Sequence, residues 1–139
     1  MPTNTPGSTA RSYGGIPVVN YIARSISYTD LNIGATDELI VGKIPAGSLI
    51  LRCKVVVTTG FDDTNGDDLD VGLSAGAAEL GSAMDINSAA IDEGDLAAAD
   101  LDDALSSDIT VYAAPTTAAS GDGTAGQAYV IVEYIPVVQ

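Results

Sequence analysis

The sequence contains no histidine and no tryptophan, a single cysteine and only five basic residues. Without histidine the chain lacks the usual acid–base group at neutral pH and the commonest imidazole metal ligand. Neither a Ser-His-Asp nor a Cys-His catalytic apparatus can therefore form within it. Carboxylates are plentiful, but nothing marks two of them as a buried acid–base pair. We predict that the protein is not an enzyme and needs no cofactor.

Disulfides, membrane spans and export signals are also missing. The single Cys53 has no partner for an internal bridge. No apolar run approaches the roughly 20 residues that cross a bilayer. The start of the chain, MPTNTPGSTARSYGG, lacks the apolar core of a secretory signal. We expect synthesis in the cytoplasm and one domain that needs no disulfide or metal to support its core.

Basic residues are few, and charge is unevenly distributed along the chain. Residues 1–54 hold all five bases and three acids, a formal charge of +2. Residues 55–139 hold the other 16 acids and no base, which gives the net charge of −14. Such a surface repels nucleic acid and anionic lipid, so we expect neither as a partner. The acidity either serves solubility alone or reflects two ends of different charge, one that docks on a partner and one that faces water.

The residues that are present favour β-structure. Strand patterns run through 20–31, through 37–59 on either side of an IPAG turn, through 68–74, and through the segments DITVYAAP and QAYVIVEYIPVV. Residues 75–108, rich in Ala and Asp, predict either a short helix beginning after Asp95 or a long surface loop. The pattern favours an antiparallel β-sandwich or barrel over residues 20–139. Residues 1–19 are rich in Pro, Gly, Ser and Thr and predict a flexible, extended arm that orders only against a partner.

Alternation assigns faces to three strands. In residues 48–58 the predicted core face is Leu49, Leu51, Cys53, Val55 and Val57, and the outer face is Ile50, Arg52, Lys54, Val56 and Thr58. Cys53 is then a small buried hydrophobe rather than a nucleophile. In 127–135 the predicted inner residues are Ala128, Val130, Val132 and Tyr134, and the outer ones are Tyr129, Ile131, Glu133 and Ile135. Leu69, Val71 and Leu73 are predicted to face inward. Both outer faces are too apolar for plain solvated surface, which indicates an interface.

The stretch FDDTNGDDLD, residues 61–70, allows two interpretations. Asn-Gly is typical of a hairpin turn, and a three-residue loop Thr64–Gly66 would set Phe61 opposite Leu69. That register places Asp62 opposite Asp68 and Asp63 opposite Asp67, and a calcium ion would relieve the repulsion between these like charges. The EF-hand spacing is incomplete, since Asp68 and Ser74 stand where Gly and Glu belong. We favour a solvated acidic hairpin, with Asp62, Asp63, Asp67 and Asp68 as weak calcium candidates.

One long stretch resembles a known class of protein. The run IVGKIPAGSLILRCKVVVTTGFDD…LDVGLSAGAAELGSAMD…DITVYAAPTTAASGDGTAGQAYVIVEYIP is similar in plan to small structural proteins of tailed bacteriophages, most of all to capsid decoration (cement) proteins. The resemblance covers about residues 38–136 and is one of pattern rather than of a single diagnostic motif. It implies a jelly-roll-like sandwich that sits, often as a homotrimer, on the outer capsid surface of the virion.

The resemblance makes the major capsid protein and further copies of the chain the expected partners. As contact residues we select four of the arm and two bases of the outer face: Tyr13, Ile16, Val18, Val19, Arg52 and Lys54. Another virion component, such as a head fibre or tail protein, and a carbohydrate-binding, lectin-like module are the alternatives. The absence of tryptophan and the low aromatic content speak against a lectin-like module, because sugar-binding surfaces usually use exposed aromatic side chains.

Overall fold

Eight strands and one short helix make up the described part of the chain, which a computed structural model gives as residues 19–31, 38–66, 68–96, 104–117 and 119–136. The elements are β1 (Asn20–Ser27), α1 (Tyr28–Leu31), β2 (Leu39–Ile44), β3 (Ser48–Thr59), β4 (Asp68–Gly72), β5 (Gly81–Asp85), β6 (Ile91–Glu93), β7 (Ile109–Pro115) and β8 (Gln127–Pro136). The division into an arm over 1–19 and a domain over 20–139 remains a prediction, since residues 1–18 lie outside the described part.

The strands form two four-stranded antiparallel sheets. Sheet A has the order β1-β8-β3-β6, and sheet B has the order β2-β7-β4-β5. Strands β1 and β8, β2 and β7, β3 and β6, and β4 and β5 pair antiparallel, as in one long two-stranded ribbon folded over on itself. Rolling that ribbon brings β3 beside β8 and β4 beside β7. This is the strand arrangement of a jelly roll, and the predicted all-β sandwich is confirmed.

The core lies between the two sheets and follows the alternation of the sequence. Sheet A contributes Cys53, Val55, Val57, Ala128, Val130 and Val132, and sheet B contributes Leu39, Val41, Leu69, Val71, Val111 and Ala113. The predicted inner residues of β8 and the buried state of Cys53 are confirmed, and Leu73 and Tyr134 pack against the core while half-buried. The predicted parity therefore holds for β8, for β4 and for the part of β3 from Cys53 onward.

The first half of β3 departs from the prediction. Ile50 is buried, whereas Leu51 is 39% exposed and Leu49 is only half-buried. The pairing of β3 with β8 shifts register between Ile50 and Arg52, so Leu51 is an extra residue in the strand. A β-bulge of this kind reverses which residues face inward on its two sides. Leu49 and Leu51 were wrong as core residues, and Ile50 was wrong as an outer one.

The predicted hairpin at Asn65-Gly66 is wrong. β3 belongs to sheet A and β4 to sheet B, so the segment between them crosses from one sheet to the other. Leu69 pairs with Met84 and Pro115, not with Phe61, and Asp68 pairs with Asp85, not with Asp62. Asp67, the predicted neighbour of Asp63, lies outside the described residues. This crossing is part of the jelly-roll topology, in which the connections between successive strands of the ribbon pass from one sheet to the other.

Two other segments also differ from the sequence-based expectation. The IPAG turn joins β2 of sheet B to β3 of sheet A, with the Ser48 amide bonded to the Pro45 carbonyl at 3.3 Å and a φ of 83° at Gly47. Pro45 and Gly47 of the sequence predict a type I turn, but glycine with positive φ at the third turn position is the signature of a type II turn. Within residues 75–96, described in full, two short strands, β5 and β6, replace the expected loop. Most of the segment predicted as a helix after Asp95 lies outside the described residues.

Candidate interaction surface

The outer face of sheet A is apolar over much of its area. Tyr21 is 69% exposed and Ile91 is 68% exposed, although both are large hydrophobic side chains. Ile91 lies opposite Val56, and Val56 lies opposite Tyr129, so these three form a row across β6, β3 and β8. The next row contains Ile131 of β8, paired with Ala23 of β1 and with Lys54 of β3. Val56, Tyr129 and Ile131 were predicted as outer residues, and the structure places them there.

The charged residues on this face neutralise one another. Glu133 accepts Arg52 Nε at 3.2 Å and Lys54 Nζ at 3.8 Å, and Glu93 lies 4.0 Å from Arg52 Nε. Two bases thus meet two acids on neighbouring strands of one sheet. Such exposed pairs add little stability, on the order of 0–1 kcal/mol each. Their effect is to make the outer face of sheet A electrically balanced in a chain of net charge −14. Arg52 and Lys54, selected as contacts for acids of a partner, already have acidic partners within the chain.

The outer face of sheet B is acidic. Asp68 and Asp85 lie directly opposite one another on β4 and β5, and Asp70 lies on the same face. Asp70 accepts hydrogen bonds from the Ala83 amide at 2.8 Å and from the Thr116 hydroxyl at 2.9 Å. Lys43 on β2 is the one base on a strand of this sheet. The two faces of the sandwich therefore differ in chemistry, one apolar and charge-balanced, the other negative.

The acidic stretch after β3 binds a distant loop. The Asp63 side chain is only 7% exposed. Its Oδ1 accepts the amides of Asn65, Gly66 and Ser120 at 2.8–2.9 Å and the Ser120 hydroxyl at 3.1 Å, while Oδ2 accepts the Gly121 amide at 2.9 Å. Burial raises the pKa of this carboxyl, but the hydrogen bonds from Ser120, Asn65 and Gly66 outweigh it and hold the pKa well below its usual range. The bonds to residues 65 and 66 form an Asx-type turn, which explains the Asn-Gly pair without a hairpin.

Two further carboxylates complete the same junction. Asp62 accepts the Thr124 hydroxyl at 2.6 Å and the amides of Thr124 and Ala125 at 2.7 and 2.8 Å. Asp122, on the other loop, makes the reciprocal contact: its carboxylate accepts the Thr64 hydroxyl and, at 3.0 Å, the Thr64 amide. Side-chain hydrogen bonds, from Thr124 to Asp62 and from Ser120 to Asp122, lower the pKa of each group. The aspartates of residues 61–66 thus join two loops that are about sixty positions apart in the chain.

This geometry bears on the calcium hypothesis. Both oxygens of Asp63 point at N–H and O–H donors, which occupy the positions that a cation would take. Within the described ranges, no three Asp, Glu or Cys side chains are grouped closely enough to hold a metal ion. Of the other candidates inside those ranges, Asp68 is the first residue of β4, whereas Asp62 lies in the segment between β3 and β4. Asp67 is outside them.

The candidate contact residues of the arm are only partly described. Tyr13, Ile16 and Val18 fall outside the described residues, and Val19 is exposed just before β1. Sequence reasoning missed Tyr21 and Ile91 as members of the apolar face. The alternation of inward Ile22 and Ile26 could have placed Tyr21 outward, but no pattern marked β6 as a strand.

Two solved structures share the fold. A chain of the cyanophage Pam1 capsid asymmetric unit has a TM-score of 0.65 and 20% sequence identity, over 97% of this chain and 99% of that one. A chain of the capsid of Ralstonia phage GP4 has a TM-score of 0.62 and 14% identity, over 100% of this chain and 93% of that one. No protein-family model and no curated protein matches the sequence. At such identities the likeness shows a shared fold, over nearly the whole length of each chain.

Proposed function

We propose that the protein is a non-enzymatic structural component of a phage virion, a capsid decoration protein that binds the major capsid protein and stabilises the shell. The observation that carries the proposal is the jelly roll shared end to end with chains of two phage capsid structures. The sequence resemblance to decoration proteins points the same way. The absence of histidine supports a structural rather than a catalytic role.

The outer face of sheet A is the proposed contact surface. Large exposed apolar patches usually mark interfaces. This patch, around Tyr21, Tyr129 and Ile91, is also charge-balanced, so that it can approach a partner without the repulsion that the rest of the chain would cause. The acidic face of sheet B then points to solvent on the outer capsid surface. There, charges on adjacent copies are screened beyond about 8 Å at physiological salt.

Stabilisation of the shell follows from mass action. A protein that binds only the assembled lattice lowers the free energy of the lattice in proportion to its own binding free energy. Several linked copies that bridge neighbouring capsid subunits would add avidity. We therefore propose a homo-oligomer, and the resemblance favours a trimer. The arm residues Tyr13, Ile16, Val18 and Val19 and the bases Arg52 and Lys54 are the proposed contacts beside the apolar face.

Co-sedimentation with undecorated capsids of the same phage tests the proposal. The wild-type protein should sediment with them, and binding should weaken but persist as salt rises, because salt screens charged contacts at the rim of the surface but does not screen apolar ones. Ile91→Asp should weaken binding strongly. Ile40→Asp is the matched control, since Ile40 is also an exposed isoleucine, 53% exposed, but on the opposite sheet. Failure of the wild-type protein to co-sediment at any salt concentration would refute capsid binding.

Glycan binding is the competing function, and it has one structural observation in its favour. Tyr21 and Tyr129 are exposed on the same face and could stack against a sugar ring. Glycan-array binding that is lost in Tyr129→Ala, without capsid binding, would favour the lectin-like module. Binding to phage heads or tails but not to capsids made of the major capsid protein would favour a head fibre or tail role.

A further inference from the structure

Three of the four sheet edges are protected against pairing with another strand. β6 has three residues, two of them the acids Asp92 and Glu93. β2 changes register between Ile40 and Gly42. β5 contains Ala83 with a φ of 50°, and the amides of Ala83 and Asp85 are bonded to side chains of β4 and β6. Short length, charge, bulges and capped amides are the means by which proteins keep sheet edges from associating.

The fourth edge, β1, has none of these features. It runs for eight residues in unbroken register with β8 and contains no proline. Its one charged residue, Arg24, is held within the chain, because its guanidinium donates to the Ile40 carbonyl of β2 at 2.8 Å. The side chains on the outer face of β1, Tyr21, Ala23 and Ser25, are uncharged. Nothing within the described residues pairs with this edge as a strand.

The hydrogen bonds at the end of β1 show which amides face outward. The Tyr28 amide donates to the Gly126 carbonyl, on the β8 side, at 3.1 Å. The Ser27 amide therefore points the other way, and it donates to the Asp30 carboxylate at 2.8 Å. Amide directions alternate along a strand, so the amides of Tyr21, Ala23 and Ser25 also face the open edge. Asp30 closes the edge at Ser27, and the open part is Val19–Ser25.

We infer that this open edge of β1 binds the N-terminal arm of a second copy of the chain as an added strand. The arm is long enough, since 18 extended residues reach up to about 60 Å. The open edge, by contrast, is only about 20 Å long. The arm carries one base and no acid, so it suits a protein whose remainder is strongly acidic. Its residues 7–16 contain no proline and can supply a ladder of backbone hydrogen bonds.

A neighbour's arm, rather than the chain's own, is the proposed occupant. A fold-back through a two-residue turn at Gly14 and Gly15 would pair Arg11 with residue 18, at the even parity by which Ile22 and Ile26 of β1 face the core, and would add a second arginine there besides Arg24. A neighbour's arm is not bound to that register. Because the arm and the edge are different surfaces, two copies can exchange arms reciprocally as a dimer, or several copies can each pass an arm to the next and close into a ring. The inference rests on the self-association included in the proposed function and gives that association a mechanism.

Sedimentation of full-length variants tests the inference. The wild-type chain should form a multiple of its 14.0 kDa mass, and deletion of residues 1–18 should give monomers. Ala23→Pro removes one edge amide and leaves the β8 ladder intact, so it should weaken association roughly tenfold per contact. Ala23→Thr keeps the amide at the same position and should associate as the wild type does. Ser25→Pro, at the next edge amide, is the second edge variant if Ala23→Pro does not fold.

Mixing identifies the occupant. The deletion variant keeps the edge, and the Ala23→Pro variant keeps the arm, so the two together should form mixed pairs more tightly than either does alone. A wild type that is monomeric at every concentration, an Ala23→Pro variant that associates as the wild type does, or a mixture without mixed pairs would overturn the inference. Capsid binding separates the inference from the proposed function: a wild type that is monomeric but still binds capsids would refute the arm exchange and leave the decoration role intact.

Discussion

Replacing Asp63 by alanine removes the carboxylate that joins the loop after β3 to the loop before β8. Five donors lose their acceptor in Asp63→Ala: the amides of Asn65, Gly66, Ser120 and Gly121 and the Ser120 hydroxyl. The cost of losing the acceptor depends on whether water can reach each donor. Gly66 is buried, whereas the other three residues are exposed and can bond to water instead.

The expected loss of stability follows from that difference. An unsatisfied buried amide costs about 1–3 kcal/mol, and each exposed donor loses only a net bond near 0.5 kcal/mol. The free energy of unfolding should therefore fall by about 3–5 kcal/mol in Asp63→Ala. For a domain of this size that corresponds to a drop in Tm of about 10–15 °C. Asp63→Asn keeps one oxygen for the four donors to Oδ1 and should lose about half as much.

Thermal unfolding followed by circular dichroism measures the effect. Asp95→Ala is the matched control, because it removes the same charge from an exposed position. An Asp63→Ala variant within about 3 °C of the wild type would refute the reasoning that these bonds hold the loops. The same assay tests calcium. A rise of more than about 5 °C with millimolar calcium over chelator, lost in Asp63→Ala, would make the junction a metal site instead.

Three further predictions concern the core and the acidic junction. A thiol-reactive dye should modify Cys53 slowly in the native protein and fully in denaturant, because the side chain is fully buried and burial raises its pKa to about 12; fast native labelling would show that β3 faces the other way. Stability should fall as the pH drops from about 5 to about 2, because the pKa of Asp63 is lower in the folded than in the unfolded chain. Its contribution is complete above about pH 5 and is lost as the unfolded chain and then the folded chain bind the proton, so a flat Tm over that range would contradict this. Gly126→Ala should lower the Tm by more than about 5 °C, because a Cβ there would lie 2.4 Å from the Phe61 ring where φ is 146°. Gly76→Ala is the control, because φ is also positive there but the nearest atom to a Cβ, Glu38 Oε1, is at an ordinary contact distance of 3.8 Å; equal effects of the two would exclude the clash.

The strand faces in the second half of β3 and in β8 were predictable, because alternation is a local property. Val55, Val57, Val130 and Val132 are buried and alternate with half-buried or exposed residues, as the period of two along a strand requires. The absence of histidine and the uneven distribution of charge also follow from the sequence alone. The absence of histidine limits the acid–base chemistry of the chain whatever its fold.

Partner choice could be decided only by the tertiary structure. β1 pairs with β8 across about a hundred residues, and no local pattern selects that partner over β2. The bulge at Leu51 exists because Ile50 and Cys53 must both face the core from an even and an odd position of one strand. Asp63 likewise looked like a turn or calcium residue until the fold placed Ser120 and Gly121 against it. Alternation determines which side chains a strand can bury, but the pairing that buries most apolar surface depends on the whole chain at once.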